Sequence, residues 1–346
     1  MNVTANTGRR LAAEWEPQSF VQLTWPHAAT DWAYMLPRVQ ACFVNIAREI
    51  AARERLLIVT PEPEAVKRQI ADTVRMENVR FVQCPTNDTW ARDHGAITLT
   101  GAEGPILLDF KFNGWGLKFA SDKDNLITRR LVKAGALHGT YENRLGFILE
   151  GGSIESDGRG TLLTTSECLL SPNRNGQMTQ AEIENYLRRT FHVQQVLWLD
   201  HGYLAGDDTD SHIDTLARLC PDDTIVYVQC TDEQDEHYDA LRQMEEQLKT
   251  FRTLAGKPYR LLPLPMADAV VEDGERLPAT YANFLVVNGA ILYPTYAQPD
   301  NDRRAAEVLS QAFPGYEIVG IDCRALICQH GSLHCVTMQY PVGVLD

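Results

Sequence analysis

The chain is organised around an acidic run near its middle, Gly206-Asp207-Asp208-Thr209-Asp210-Ser211-His212-Ile213-Asp214. Five of these nine residues carry a carboxylate or an imidazole, and only Ile213 has a large hydrophobic side chain. In an extended backbone, side chains two positions apart point to the same face. His212 and Asp214 would then enter one space together, a proton carrier beside a fixed negative charge. The alternative is a solvated acidic loop, because a lone His-x-Asp is a weak signal.

The composition is that of a globular protein with an excess of acidic residues. Its 346 residues are 44% hydrophobic and 23% charged, with a formal net charge of −14 at pH 7. This charge argues against nucleic acid or an anionic membrane as a partner and fits a small cationic ligand. The segment Met1–Glu16 lacks the apolar core of a signal peptide, and no run approaches the roughly 18 apolar residues of a membrane span. The eight cysteines form no C-x-x-C pair, which predicts a reduced, cytoplasmic protein.

Short apolar runs alternate with amphipathic stretches, which predicts a mixed α/β fold. The predicted strands are Leu56–Thr60, Arg80–Cys84, Ala96–Thr100, Ile106–Phe110, Phe147–Glu150, Thr161–Thr165, Gln195–Leu199, Thr224–Cys230, Ala282–Val287, Ala290–Pro294, Glu317–Ile321 and Cys335–Gln339. The predicted helices are Leu36–Arg53, Glu62–Val74, Asp122–Ala134, Thr179–Thr190, Gln234–Leu254 and Asn301–Phe313. The spacing predicts a repeated α/β unit, although it would also suit a doubly wound sheet. Without a linker or a Gly-rich phosphate turn, residues 1–346 are predicted to form one domain that binds no nucleotide.

Four polar clusters interrupt the apolar strands, each at a strand end where loops hold functional groups on a rigid scaffold. They are Thr89–Gly95, Leu149–Ser153, the pair His212 and Asp214, and His330–Cys335. One cysteine, one histidine and several carboxylates in one pocket would suit attack on a planar cation. A thiolate can attack a guanidinium carbon that resists water, and paired carboxylates can grip the cation by bidentate hydrogen bonds.

The carboxylates and the histidine have predicted roles in this chemistry. Asp93 and Asp214 would grip the guanidinium. His212 would protonate the departing ammonia and then activate water. Glu150 would orient His212 and raise its pKa by its negative charge, although a carboxylate before two glycines could also be no more than a turn.

Other candidate site residues could instead have purely structural roles. Asp93 could be an ion-pair partner of Arg92, and Cys335 could be a buried core residue. Trp90 and Trp115 are candidate substrate contacts, although such tryptophans more often serve packing.

A dense group of cysteines and histidines near the C-terminus raises the question of zinc. It comprises Cys328, His330, His334 and Cys335. The spacing matches no familiar zinc knuckle, and adjacent ligands are geometrically awkward. No metal is predicted.

Several motifs, taken in order, resemble the agmatine deiminase branch of the guanidino-modifying enzymes, the bacterial peptidylarginine deiminase-like family. These motifs are Trp90-Ala91-Arg92-Asp93, Lys111-Phe112-Asn113-Gly114-Trp115-Gly116, Leu149-Glu150-Gly151-Gly152-Ser153-Ile154, Thr161–Thr165, Leu169–Asn175, Asp207–Asp214, Tyr281-Ala282-Asn283-Phe284 and His334-Cys335-Val336-Thr337. The resemblance implies a five-bladed α/β propeller (the pentein fold) of pseudo-fivefold ββαβ units, with a central active site. It implies no metal or organic cofactor. The matching positions imply Cys335 as nucleophile, His212 as acid/base, Asp93 and Asp214 as guanidinium clamps, Glu150 beside the histidine and Asn283 near the pocket.

Two loops depart from the family pattern. Typical members carry Asp-Glu-Thr-Asn-Gly-His-Val-Asp-Asn where this chain has 207–215, and Gly-Gly-Gly-Asn where it has 329–332. Because the chemical residues persist, hydrolysis at a guanidine is expected, and the changed loops are predicted to line the far end of the pocket. One of Asp207, Asp208 or Asp210 is predicted to meet the primary ammonium of agmatine, with Asp210 assigned to the binding site.

The leading prediction is hydrolysis of agmatine to N-carbamoylputrescine and ammonia through a thiouronium intermediate on Cys335, a step of putrescine biosynthesis. The nearest alternative is deimination of C-terminal arginine in peptides, or hydrolysis of another small guanidine. Amidino transfer and a non-catalytic binding module are further alternatives. A homo-oligomer, a dimer or larger, is expected because such enzymes often form symmetric assemblies.

Overall fold

The computed structural model describes residues 8–345, and five mixed sheets dominate them. The strands are β1 (Arg10–Leu11), β2 (Gln18–Thr24), β3 (Arg55–Thr60), β4 (Val79–Gln83), β5 (Ile97–Thr100), β6 (Ile106–Lys111), β7 (Thr140–Ile148), β8 (Ile154–Ser156), β9 (Thr161–Thr165), β10 (Gln195–Leu199), β11 (Ala217–Cys220), β12 (Thr224–Gln229), β13 (Arg260–Pro265), β14 (Val270–Glu272), β15 (Glu275–Leu277), β16 (Leu285–Val287), β17 (Ala290–Thr295), β18 (Glu317–Asp322) and β19 (Thr337–Pro341). The helices are α1 (Leu36–Ala51), α2 (Pro63–Ile70), α3 (Ala91–His94), α4 (Gly114–Leu117), α5 (Ile127–Lys133), α6 (Ser166–Leu169), α7 (Gln180–Phe191), α8 (Tyr238–Thr250) and α9 (Pro299–Ala312).

The five sheets share one local topology. In each, a first strand runs antiparallel to a second, and a helical connection returns the chain to a third strand parallel to the second. The units are β5-β6-β7, β8-β9-β10, β11-β12-β13, β16-β17-β18 and β19-β2-β3, with β1 and β4 added at two edges. This repeat confirms the five-bladed α/β propeller of ββαβ units. Because the sheets are separate, the doubly wound sheet is excluded.

The last strand closes the ring by pairing with a strand near the N-terminus. β19 runs antiparallel to β2, with Thr337 opposite Leu23 and Tyr340 opposite Phe20. The rings of Phe20 and Tyr340 stack with their centroids 4.6 Å apart. Because Cys335 lies two residues before β19, its position depends on this contact between distant parts of the chain.

The pattern of hydrophobic residues explains how helices pack on the strands of the blades. Five of the six residues of β3 are buried, as expected for a strand with parallel neighbours on both sides and helices over its faces. The amphipathic helix α1 packs against this strand through residues spaced three or four apart, Val39, Phe43, Ile46 and Ile50.

Most predicted elements are present, several with shifted ends. The strands Thr161–Thr165 and Gln195–Leu199 are confirmed as predicted, and Thr179 and Glu182 form a capping box at the start of α7. The helices predicted for Asp122–Ala134 and Gln234–Leu254 are shorter, because each begins only after a turn.

Four strands of the blades were not predicted from the sequence: β2, β8, β11 and β13. Prolines interrupt the apolar pattern of β13, and polar residues interrupt that of β2, β8 and β11. Distant parts of the chain supply hydrogen bonds that allow such polar residues to be buried. In β2, for example, Gln22 is fully buried, and its side-chain oxygen accepts a hydrogen bond from Tyr340 at 3.1 Å.

The prediction of an extended backbone through His212 and Asp214 is wrong. His212 itself is extended, but Ile213–Thr215 form a 3₁₀ turn that leads into β11. The hydroxyl of Thr215 donates to the carbonyl of His212 at 2.8 Å and reinforces this turn. His212 and Asp214 therefore meet because of a tight turn, not because of strand alternation.

Candidate active site

Each blade contributes polar groups from the turn just before its first strand. Asp93 precedes β5, Glu150 and Gly152 precede β8, His212 and Asp214 precede β11, Asn283 precedes β16, and Cys335 precedes β19. The first strands β8 and β11 are in contact, as are β5 and β19, and close contacts between the turns of all five blades place these groups at the centre of the propeller. The structure therefore brings together the predicted Cys335, His212, Asp93, Asp214, Glu150 and Asn283.

Cys335 lies at the floor of a narrow pocket. Its side chain is buried, and its Sγ lies 3.4 Å from Oδ1 of Asn283 and 3.9 Å from Oδ2 of Asp214. Burial and the nearby charges of Asp214 and Asp93 raise the pKa of the Cys335 thiol well above its usual value. The thiol is therefore protonated until a cation offsets the two carboxylates.

Asp93 is fixed by two hydrogen bonds. Its Oδ2 accepts from Nε1 of Trp115 at 2.9 Å, and its Oδ1 accepts from the backbone N–H of Gly152 at 3.2 Å. Burial, followed by the charges of Asp214 and Glu150, raises the pKa of Asp93 well above its ordinary value. This carboxyl group lacks a cationic partner among the described residues and suits a cationic ligand.

The pKa of Asp214 is shifted in the opposite direction to that of Asp93. Burial favours its neutral form, but a 2.7 Å hydrogen bond from Nδ1 of His334 and nearby positive charges outweigh burial and lower the pKa of Asp214. Its Oδ1 is buried and accepts no hydrogen bond from the described residues. Asp214 does not line the pocket itself, but it keeps one carboxylate oxygen without a described partner close behind Cys335.

His212 is buried with both ring nitrogens unpaired among residues 8–345. Its Nδ1 lies 3.8 Å from Oδ1 of Asp93. Burial lowers the pKa of His212 although the charges of Glu150 and Asp214 oppose this shift. An uncharged imidazole of this kind is ready to accept a proton.

Glu150 does not orient His212 through a hydrogen bond, contrary to the sequence prediction. Both of its oxygens accept from Nε of Arg174, at 2.9 and 3.0 Å, and both side chains are fully buried. Its charge still favours protonation of His212, as predicted. Arg174 was missed as a site residue, although it lies within the quoted motif Leu169–Asn175.

Asp210 is also engaged by cations of the protein. Its Oδ2 accepts from Arg174 at 2.5 Å and its Oδ1 from Lys118 at 2.7 Å. Asp207 instead accepts hydrogen bonds from Thr209 and Ser211 and shapes its own loop. Among the three aspartates predicted to meet an ammonium group, Asp208 is the one that lines the pocket.

Aromatic side chains form part of the pocket wall. Trp90 and Trp115 both line it, with their ring centroids 6.1 Å apart in an edge-to-face arrangement. Trp90 packs so closely on Gly331 that a Cβ there would lie 2.1 Å from the indole. The complete wall consists of Asp31, Asp88, Trp90, Asp93, Trp115, Phe119, Asp208, Thr209, Gln329, His330, Gly331 and Cys335.

Asn283 holds the nucleophile's turn in place. Its Oδ1 accepts from the backbone N–H groups of His334 at 2.9 Å and Cys335 at 3.3 Å. Its Nδ2 donates to the carbonyl of Asp214 at 3.3 Å. Asn283 therefore joins the turns of three blades, a positioning role that needs no contact with substrate.

The C-terminal cysteines and histidines do not converge on one point. Cys328 contacts Glu272 at 2.8 Å, and Nδ1 of His330 donates to the carbonyl of Gly206 at 2.7 Å. Ligand-type atoms of two other groups lie within 4.8 Å of one another, namely Glu150 with Cys168 and His212, and Glu14 with Glu155 and His334. Arginine guanidinium groups already bind the carboxylates of both groups, so their carboxylates are not free to bind a metal.

The five-bladed propeller, with its thiol and carboxylates where the blades meet, places the chain in the pentein class of guanidino-modifying enzymes. The profile of the Porphyromonas-type peptidyl-arginine deiminases matches residues 10–341. The chain belongs to this family. Within residues 8–345, no helix combines the length and apolar character needed to cross a membrane.

Individual relatives cover nearly the whole chain. A candidate agmatine deiminase of Vibrio parahaemolyticus is 34% identical over 97% of this chain and 98% of its own length. The crystal structure of a candidate arginine deiminase from Porphyromonas gingivalis superposes with a TM-score of 0.92 at 52% identity, covering 98% of this chain and 100% of that one. A C. jejuni agmatine deiminase with bound substrate gives a TM-score of 0.90 at 37% identity, covering 98% and 97%.

Proposed function

We propose that the protein is an agmatine deiminase, a hydrolase that releases ammonia from the guanidinium group of agmatine. The observation that carries this proposal is the charge of the pocket. Four aspartates line it, and its described wall contains no lysine or arginine. Agmatine carries a guanidinium and an ammonium group, whereas arginine also carries a carboxylate that such a wall would repel.

The first half of the reaction follows from the charges around the nucleophile. A guanidinium between Asp93 and Asp214 offsets the two charges that raise the pKa of Cys335, and the thiol proton passes to uncharged His212. The thiolate then forms a bond to the guanidinium carbon. His212 returns the proton to the departing nitrogen, the carbon–nitrogen bond breaks, and ammonia leaves a thiouronium on Cys335.

The second half uses the same groups in reverse. His212 takes a proton from water, and the hydroxide attacks the thiouronium carbon. The carbon–sulfur bond breaks, the thiolate takes up the hydroxyl proton as the ureido carbonyl forms, and the ureido product leaves. His212 then gives up the water proton, which converts the released ammonia to ammonium. Overall one guanidinium and one water give one ureido group and one ammonium, so the charges balance.

The outer part of the wall is suited to the ammonium tail. Oδ1 of Asp88 is buried without a described hydrogen-bond partner, and burial with the charges of Asp124 and Asp31 raises the pKa of Asp88 to about 8. Asp208 lines the same pocket. We assign the tail to Asp88 and Asp208, and not to Asp210, which two cations of the protein already bind.

Deimination of free or C-terminal peptidyl arginine is the second candidate. His330 is the observation that favours it, because an imidazole N–H in the wall could donate a hydrogen bond to a carboxylate. Amidino transfer to an amine would release no ammonia, which distinguishes it from hydrolysis. A non-catalytic binding module would bind its ligand equally well after the loss of Cys335.

Ammonia release from agmatine, arginine and a C-terminal-arginine peptide tests the proposal. We expect turnover of agmatine alone and none by Cys335→Ala. Asp88→Asn and Asp208→Asn should raise the KM for agmatine about tenfold, the size of one charge-assisted contact, and leave the KM for butylguanidine, which lacks the ammonium, unchanged. Turnover of arginine or the peptide in place of agmatine would contradict the assignment of the tail.

We also propose a cytoplasmic enzyme that serves putrescine formation as a homo-oligomer. All eight cysteines lie in the described part of the chain as free thiols, which supports a reducing compartment. Light scattering of the purified protein would test the oligomeric state.

A further inference from the structure

A second polar network lies behind the nucleophile, on the side away from the substrate pocket. Nδ1 of His334 donates to Oδ2 of Asp214 at 2.7 Å, and Nε2 of His334 lies 2.8 Å from Oε1 of Glu14. His334 is fully buried. One imidazole therefore connects a guanidinium clamp to a residue of the N-terminal segment.

Glu14 belongs to the segment between β1 and β2. It lines a separate cavity of about 90 Å³, whose walls share no residue with the substrate pocket. Glu14 therefore has no direct contact with a guanidine bound beside Cys335, and any effect of Glu14 on such a substrate must pass through its neighbours.

Two buried arginines define the charge of Glu14. NH1 of Arg92 lies 3.1 Å from its Oε1, and NH2 of Arg218 lies 2.6 Å from its Oε2. Burial alone would raise the pKa of Glu14, but His334, Arg218 and Arg92 outweigh burial and lower it well below the usual value. Glu14 is therefore an anion at neutral pH.

His334 lies between two carboxylates and a guanidinium group. Burial, Arg218 and Arg92 lower the pKa of His334, although Glu14 and Asp214 oppose the shift. An ionised Asp214 can only accept a hydrogen bond, so Nδ1 of His334 carries a proton and donates it to Oδ2. Nε2 lies 2.8 Å from Oε1 of Glu14 and 3.1 Å from NH2 of Arg218, so these two side chains fix the orientation of the ring.

We propose that His334 is a positioning residue for the reaction, and that Glu14 and Arg218 hold its ring in the orientation in which Nδ1 donates to Asp214 and keeps that carboxylate ionised. The hydrogen bond occupies Oδ2 of Asp214, so that Oδ1, which has no described partner, is left for the guanidinium. This inference rests on the proposed function, because it assigns Asp214 to the substrate.

The first test compares two glutamates of the same segment. Glu14→Gln removes the anion beside His334, and we expect the KM for agmatine to rise about tenfold while kcat changes less than about threefold. Glu16→Gln is the matched control, because Glu16 lines the same cavity but pairs with Arg10. Equal effects of the two substitutions would show a general role of the segment and overturn the proposal.

The second test uses the acid limb of the pH profile of kcat/KM. His334→Leu removes the hydrogen bond that lowers the pKa of Asp214, so the acid limb should move to higher pH. His334→Asn retains a donor near the position of Nδ1 and should restore the limb toward the wild type. A limb at the same pH in wild type and both variants would overturn the proposal, even if His334→Leu lowers the melting temperature.

A third measurement separates this inference from the proposed function. Chloroacetamidine and chloroacetamide both alkylate Cys335, but only the amidinium is a planar cation that the clamp attracts. Glu14→Gln and His334→Leu should lower the ratio of the two alkylation rates at least about tenfold, whereas Glu16→Gln should not. This ratio requires no turnover, so it tests the inference even if agmatine is not the substrate. An unchanged ratio would refute it.

Discussion

Trp115 donates a 2.9 Å hydrogen bond from its indole to Asp93 while its own backbone is left-handed, with φ of 53° and ψ of 49°. Bulky residues rarely adopt this conformation, which costs on the order of 1–3 kcal/mol. Gly114 and Gly116 flank it with positive φ, and Oδ1 of Asn113 accepts from Gly116 at 3.0 Å. The chain therefore holds strain at the point where a clamp carboxylate is fixed.

Replacing Trp115 with Phe should weaken this clamp. The indole hydrogen bond lowers the pKa of Asp93 against the larger effect of burial, so its loss should raise that pKa. We expect the acid limb of kcat/KM to move to higher pH and kcat/KM at pH 7 to fall about 10- to 100-fold. Trp198→Phe is the control, since its indole donates to Glu184. An acid limb of kcat/KM at the same pH as in the wild type would contradict the proposed effect of Trp115 on the pKa of Asp93.

Gly152 should tolerate no side chain. A Cβ there would lie 2.7 Å from Nδ1 of His212, 3.0 Å from Asp93 and 3.1 Å from Asp214. We expect Gly152→Ala to lower kcat/KM at least about a hundredfold by displacing these groups. Gly146→Ala, where a Cβ meets nothing within 4 Å, should leave activity unchanged. Steady-state kinetics with a melting curve would separate misplacement from unfolding.

Asp93→Asn should weaken the binding of agmatine and, in the free protein, make the Cys335 thiol easier to ionise. One of the charges that raise the pKa of Cys335 disappears, so in the free protein the thiol should ionise at lower pH than in the wild type. The KM for agmatine should rise about a hundredfold or more, because a buried charged contact is lost. The pH dependence of alkylation by iodoacetamide measures the first effect. Asp88→Asn is the control, because the charges that raise the pKa of Cys335 are those of Asp214 and Asp93.

Arg174→Met should destabilise the fold as well as the site. It leaves Glu150 buried without its guanidinium partner, a change that typically costs about 3–5 kcal/mol. Arg188→Met breaks only an exposed pair with Glu184 and should cost less than about 1 kcal/mol. Urea unfolding would compare the two. Similar losses would mean that Glu150 gains a different partner.

The sequence predicts the site better than it predicts the strands that carry it. Motifs in a fixed order identified Cys335, His212, Asp93 and Asp214, and these side chains do meet at the centre. Local pattern failed for β2, where Gln22 is buried because Tyr340 supplies its hydrogen bond. It failed again immediately after His212, where a 3₁₀ turn over Ile213–Thr215 replaces the predicted extended backbone.

The sequence by itself determined which chemical groups the protein carries and the five-bladed class of fold, because the residue types and their order are properties of the chain. Only the tertiary structure decided the charge state and the bonding partners of each of these groups. Burial keeps His212 uncharged, Arg174 binds Glu150 and Asp210, and His334 holds Asp214. These partners lie 24 to 120 positions apart in the chain, and charge state depends on neighbours in space, which no local pattern specifies.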